Sequence, residues 1–567
     1  GEIAEAAYRF ERGVNAGRRI VVGVNAFTDG DDREDAELLK IDHAVETYQL
    51  KRVSLPTDGS AIDLGAGELV TDVDWSKRGL RSVHHIVERK QLWLLADEKN
   101  EERWNLYRLD LSQEGAKPER VTNADYIYGV GFSKDDQWVA YIPRKGTKAP
   151  FSSCLRVRNV QSGEERELVC DDGKLNFTWS SPVFSPDNQE VYVNVQVEGD
   201  RKRVQLARVK LDAKKPKLEV LTDRKVQRSS PGALRTWVGD RLLFTANEDG
   251  YRNLYAFDRK RKKITQLTAF KEDVQGAVVT DRGVFLSHGT PAGSTLELVD
   301  PKDGKILSRG ALPGQVGLLD GHGDRVLWTQ RAPDVLFELD ETVIDAGNQM
   351  STRRLVQLDP ELAEAVVQCK AEAVKIPTFD QDPKTGKTRE LHAFLLRPKH
   401  PMKAEGAVKP LGMLRSFYGG SNSYNRFDHI MCAAGLTLLS TSVRGSSGFG
   451  KDFYGLNDRD LGGDEIVDLF YAARWLEKKM GWSAEQIGVY GRSHGGYATM
   501  RAMTFNPETN GRNENYDFGF GLGDAGFSDI KAFYDATNIP DWVVLESGDP
   551  NNPDDLAKMK DRSPINH

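Results

Sequence analysis

At 567 residues, with 39% hydrophobic and 29% charged residues, the chain is too long for one ordinary core and too apolar for a disordered one. Its net charge of −7, with both signs mixed along the chain, leaves no footprint for nucleic acid. No apolar run approaches the roughly 18 residues that a spanning helix needs. The 4 cysteines, Cys154, Cys170, Cys369 and Cys432, form no CxxC and no Cys/His cluster. They support neither a disulfide framework nor a metal site.

The first unit, residues 1–53, opens with helical spacing at Ile3, Ala7, Tyr8 and Phe10, followed by an apolar strand over 19–24. Residues 1–17 are charged and amphipathic, without the apolar centre of a signal peptide, which leaves a cytoplasmic or a periplasmic location open.

From 54 to 374 one formula recurs. Apolar strands at 91–95, 138–141, 191–193 and 241–244 follow turn signals such as Phe132-Ser133-Lys134-Asp135-Asp136 and Phe184-Ser185-Pro186-Asp187-Asn188. Second strands carry Asn105-Leu106-Tyr107 or Asn253-Leu254-Tyr255, and units close on Val121-Thr122, Leu221-Thr222 and Leu267-Thr268. Short strands repeating every roughly 40–50 residues mark a β-propeller, here of roughly six to eight blades. The basic run 259–263 falls between strands and reads as a solvated turn.

From 375 to 567 strands alternate with helices. Strands are expected at 391–396, 411–417 and 435–441. Ile466, Leu469, Phe470, Ala473 and Leu476 share one face of a helix over 465–479, and a buried strand at 486–490 runs into Gly491-Arg492-Ser493-His494-Gly495-Gly496. This order implies a mostly parallel sheet, so the chain is multidomain: an all-β propeller followed by an α/β domain.

A serine hydroxyl attacks well only when its geometry is enforced and a base takes its proton. The G-x-S-x-G elbow enforces geometry by a sharp strand-to-helix turn, with Gly491 and Gly495 where a Cβ would collide. Ser493 is the candidate nucleophile. The backbone N–H of His494 is the first candidate oxyanion donor, since it follows the nucleophile. Tyr418, in Tyr418-Gly419-Gly420 after strand 411–417, can offer its phenol as the second.

Through these residues, and through 443–450, 491–497 and Ser563-Pro564-Ile565-Asn566-His567, the chain resembles the prolyl oligopeptidase family of serine peptidases, which implies an all-β propeller followed by an α/β-hydrolase domain. The resemblance implies an acyl-enzyme on Ser493, oxyanion binding at Tyr418 and a peptide as partner, with no cofactor or metal. It also implies a turn-shaping role for Arg444. In that family the SPI-x-H turn is followed by strands and loops bearing the triad aspartate and histidine. This chain stops at His567, so the resemblance implies an incomplete sheet and a weak or inactive peptidase. The His494 side chain is expected to point away from Ser493. His567 matches a non-catalytic histidine, and Asp524, Asp529 and Asp549 lie in the wrong part of the topology for the triad acid. An esterase on the same residues, or a propeller that binds protein partners without catalysis, are the competing readings. Residues 2–28, 37–42 and 44–53 resemble part of the methylmalonyl-CoA mutase barrel. No cobalamin-binding DxHxxG accompanies them, so 1–53 reads as a joined fragment without activity.

Overall fold

The computed structural model describes residues 79–99, 103–146, 151–226, 234–312, 314–356, 360–402, 410–417, 419–420 and 422–567. It also describes 60–62, 229, 231–232 and five strands nearer the N-terminus. Those strands, Glu5–Tyr8, Ile20–Asn25, Glu37–Ala44, Thr47–Ser54 and Glu68–Thr71, form one antiparallel sheet in chain order. The helix expected around Ile3–Phe10 is therefore corrected to a strand, with Tyr8 paired to Ile20. A helix this short is marginal by itself, whereas a neighbouring strand satisfies the backbone at once.

Six antiparallel meanders follow between Gly79 and Val356, five of four strands and one of five. They are the blades of a propeller. The N-terminal sheet stands between the first and the last, with Glu5–Tyr8 against Gln315–His322 and Ile20–Asn25 against Gly79–Ile86.

The repeated formula has a physical cause in the blades that carry it. In the Phe-Ser turns, Ser133 Oγ donates to Asp135 at 2.6 Å and accepts from Trp138 N at 2.9 Å, tying the turn to the strand it precedes. Ser185 and Asp187 repeat the first bond at 2.7 Å. The recurring Asn and Thr clasp the third strand to the fourth. Thr122 Oγ1 donates to Asn105 Oδ1 at 3.0 Å while accepting from Leu106 N at 2.9 Å. Thr268 and Asn253 do the same at 2.9 Å. These groups are buried, so each clasp satisfies polar atoms that would otherwise be costly.

The four cysteines overturn the sequence expectation, because all of them pair: Cys154 with Cys170 and Cys369 with Cys432. Cys154 and Cys170 are direct cross-strand neighbours in the second blade. Cys369 and Cys432 lie 63 residues apart in sequence and meet only through the tertiary fold, which no spacing rule reports.

The C-terminal sheet contains β1 (Cys369–Gln381), β2 (Thr388–Pro398), β3 (Gly412–Arg415), β4 (Thr437–Ser442), β5 (Ile487–Arg492) and β6 (Phe520–Asp524). Its order is β1-β2-β4-β3-β5-β6, with β3 parallel to β4 and β5, and β5 parallel to β6. Alternate residues point to opposite faces. Leu414, Leu439 and Val489 pack with Ile466, Leu469 and Leu476 of helix Asp464–Met480 on one face. Met413, Leu438 and Tyr490 meet Cys432 of helix Arg426–Ala433 on the other. The sheet is thus covered on both sides, as parallel strands require. β6 is the outer strand among the described residues, and its Leu522 is largely exposed.

Candidate active site

β5 ends at Arg492 and helix His494–Met503 begins two residues later, so a single residue makes the turn. That residue is Ser493, with φ 57° and ψ −118°, a conformation that L-residues avoid. The neighbours hold it there. Ser493 N donates to Asp524 O at 2.9 Å, and Ser493 O accepts from Tyr497 N at 3.0 Å. A Cβ on Gly491 would lie 2.2 Å from Ser416 Oγ and 2.6 Å from the Gly495 carbonyl. Ser416 Oγ also donates to Gly495 O at 2.6 Å, bonding the end of β3 to the first turn of the elbow helix. Ser493 is left exposed at the helix N-terminus.

Among the described residues the Ser493 hydroxyl has no hydrogen-bonded base. The His494 ring turns elsewhere: its Nε2 lies 3.2 Å from Glu465 Oε2, and its ring packs 4.4 Å from that of Phe417 and 5.3 Å from that of Trp542. The His494 amide, in the first helical turn, has no backbone acceptor among the described residues. Tyr418 lies outside the described residues; its neighbours Gly419 and Gly420 both have φ 75°.

Beneath the elbow lies a polar cluster that sequence reasoning missed. Glu465 and Glu546 are almost fully buried, Glu465 Oε1 accepts from Gly462 N at 2.8 Å, and Glu546 Oε2 accepts from Asn457 Nδ2 at 2.9 Å. Burial pushes the Glu546 carboxyl up to about 7, with the Glu465 and Asp458 charges adding to the shift and His494 opposing it. Burial alone would depress His494, but the Glu465 charge and hydrogen bond outweigh it and raise the ring above its ordinary value. Glu465 stands at the start of an ordinary amphipathic helix and Glu546 sits eighty-one residues on, so no local signal links them.

The remaining residues singled out from sequence take structural positions. Arg444 is buried among Asp468, Asp464 and Asp380, bonding Asp468 Oδ1 at 2.8 Å and Oδ2 at 2.9 Å. Asp524 pairs with Arg492 at 3.2 Å, Asp529 caps helix Ile530–Ala536, and Asp549 accepts from Asn551 N at 2.9 Å. Ser563 Oγ accepts from Ile530 N at 3.0 Å and donates to Met559 O at 2.7 Å, which gives the Ser-Pro turn a packing role. His567 Nε2 meets Asp561 O at 2.6 Å.

A sheet covered on both faces whose last four strands run parallel, a strained serine elbow at the end of β5 and a propeller ahead of it define a propeller-fronted α/β-hydrolase. Residues 423–567 match the prolyl oligopeptidase family. Dipeptidyl aminopeptidase BIII of Pseudoxanthomonas mexicana is 28% identical over 170 residues, 28% of this chain and 23% of that protein. The acylamino-acid-releasing enzyme of Homo sapiens is 28% identical over 187 residues, 31% of this chain and 24% of its own length. The chain thus aligns with about a quarter of each of these relatives. Among solved structures, a prolyl endopeptidase superposes with TM-score 0.74 at 15% identity, covering 94% of this chain and 77% of that one. A puromycin hydrolase gives TM-score 0.73 at 16% identity, covering 94% and 82%. Residues 1–57 match methylmalonyl-CoA mutase.

Proposed function

We propose that the chain is a serine-type peptidase that forms an acyl-enzyme on Ser493, with the His494 amide and the Tyr418 phenol stabilising the oxyanion. The observation that carries this reading is the strained, exposed serine at the head of a helix, held by Ser416, Gly491 and the Asp524 carbonyl. Such strain persists only where surrounding structure enforces it, and it aims the hydroxyl away from the sheet. Low-identity relatives that are peptidases support the same reading.

Among the described residues no imidazole reaches Ser493. A fluorophosphonate probe tests the proposal. Labelling that maps to Ser493 and vanishes in S493A is expected. Labelling at another residue, or none after prolonged exposure, overturns the nucleophile assignment.

A further inference from the structure

The propeller turns the start of its inner strands and the end of its second strands toward the hydrolase domain. Contacts across the boundary show this: Arg144 Nη1 donates to Asn538 O at 3.3 Å, Gln196 Nε2 to Asp541 Oδ2 at 3.3 Å and Lys451 Nζ to Glu248 O at 2.6 Å. On that face Arg81, near the start of the first blade, and Arg144, at the end of a second-blade strand, share one aromatic ring. The Arg81 guanidinium lies 5.1 Å from the centroid of Tyr126 and that of Arg144 lies 4.9 Å from it. Arg81 also stacks on Trp104 at 4.0 Å and Trp179 at 4.7 Å, while Arg144 stacks on Phe151 at 4.1 Å.

Neither guanidinium has a carboxylate partner among the described residues. Arg81 donates to the Tyr126 phenol. Arg144 is only 4% exposed, acts on the Tyr128 phenol, bonds one carbonyl and leaves its Nε without a hydrogen-bond partner. The carboxylates nearby are engaged elsewhere. Asp171 accepts from Ser153 N and Phe177 N, Asp125 accepts from Gly146 N, and Asp541 binds Gln196 and Arg201. A buried cation without a counter-ion is costly, and flanking rings offset that cost only in part. Trp179, at 44% exposed, leaves the cluster open on one side.

One short segment links the cluster to the elbow. Helix Pro540–Ser547 sets Asp541 against the propeller and packs the Trp542 ring 5.3 Å from His494, the residue after Ser493.

We infer that Arg81 and Arg144, walled by Trp104, Trp179 and Phe151, form a subsite for a peptide carboxylate, so that this chain selects acidic or carboxyl-terminated peptides. Planar guanidiniums match a carboxylate fork, and the rings supply apolar walls for the residue that bears it. The proposal rests on the peptidase reading for its choice of ligand. The carboxylate comes from the peptide terminus or from an acidic side chain, and the two sources separate experimentally.

The test is calorimetric titration of the full chain carrying S493A, which prevents turnover. Three probes are compared: N-acetyl-Ala-Ala-Phe, its carboxamide, and N-acetyl-Glu-Ala-Phe carboxamide. At least one carboxylate probe is expected to bind about 10- to 100-fold more tightly than the neutral carboxamide, the range a charge-assisted contact gives. Which one does so identifies the source. R81Q and R144K should each remove most of that preference, with thermal melting confirming the fold. Equal binding of all three probes, or an unchanged preference in folded R81Q, overturns the subsite. Failure of Ser493 to react with a fluorophosphonate while the preference persists removes the peptidase reading and leaves the subsite standing.

Discussion

The carboxyl of Glu546 offers a quantitative test of the polar cluster beneath the elbow. Burial raises it from an ordinary 4.5 to about 7, and it is 7% exposed, so solvent screens it little. A shift of that size corresponds to about 3 kcal/mol, an order-of-magnitude figure given the charges around it. The sign follows from proton binding. The folded chain holds this proton more tightly than the unfolded chain, so the contribution is complete below about pH 4.5 and is lost as pH rises through about 7. His494, also raised, pulls in the same direction. E546Q keeps an acceptor for Asn457 and mimics the protonated acid. Melting temperatures of the parent and E546Q, recorded from pH 5 to 8.5, should coincide at the acid end. At the alkaline end the variant should melt higher, by about 6–12 °C for a domain of this size. Parallel curves across the whole range would falsify the assignment of a buried proton to Glu546.

Three further outcomes follow from the elbow and the cross-links. S493G should raise thermal stability by on the order of 1 kcal/mol while abolishing fluorophosphonate reaction, because glycine tolerates φ 57°. A lower melting temperature refutes the strain argument. G491A, whose Cβ would lie 2.2 Å from Ser416 Oγ, should cost about 1–3 kcal/mol and suppress labelling; normal labelling with normal stability contradicts the geometry. The disulfides close loops of 16 and 63 residues, for which chain entropy predicts about 3 and about 4 kcal/mol. Dithiothreitol should therefore lower the melting temperature markedly, and an unchanged one means that the thiols do not pair in solution.

What the sequence revealed follows from which interactions are local. The blades were legible because Ser133-Asp135 and the Asn105–Thr122 clasp recur at fixed offsets within one meander. The elbow was legible because strand, turn and helix are contiguous. The apparent helix around Tyr8 failed because a few apolar residues fit either period, and pairing with Ile20–Asn25 decided between them. The Glu465–His494–Glu546 cluster, the Cys369–Cys432 bond and the Arg81–Arg144 pair were hidden for a different reason. Each joins residues from separate elements, and their meaning lies in a distance that only the folded chain defines.

The join between the domains is uneven in kind. On one side His429 Nδ1 accepts from Gln368 N at 2.8 Å and its Nε2 lies 2.9 Å from Pro333 O, beside the Cys369–Cys432 bond. On the other side the partners are charged and partly solvated: Arg201 with Asp541 at 3.4 Å and Lys202 with Asp458 at 3.0 Å. Salt weakens the second set and hardly touches the first. The join is therefore held by uncharged hydrogen bonds beside the sixth blade and by partly solvated ion pairs beside the third. Raising ionic strength weakens the contacts at the third blade more than those at the sixth.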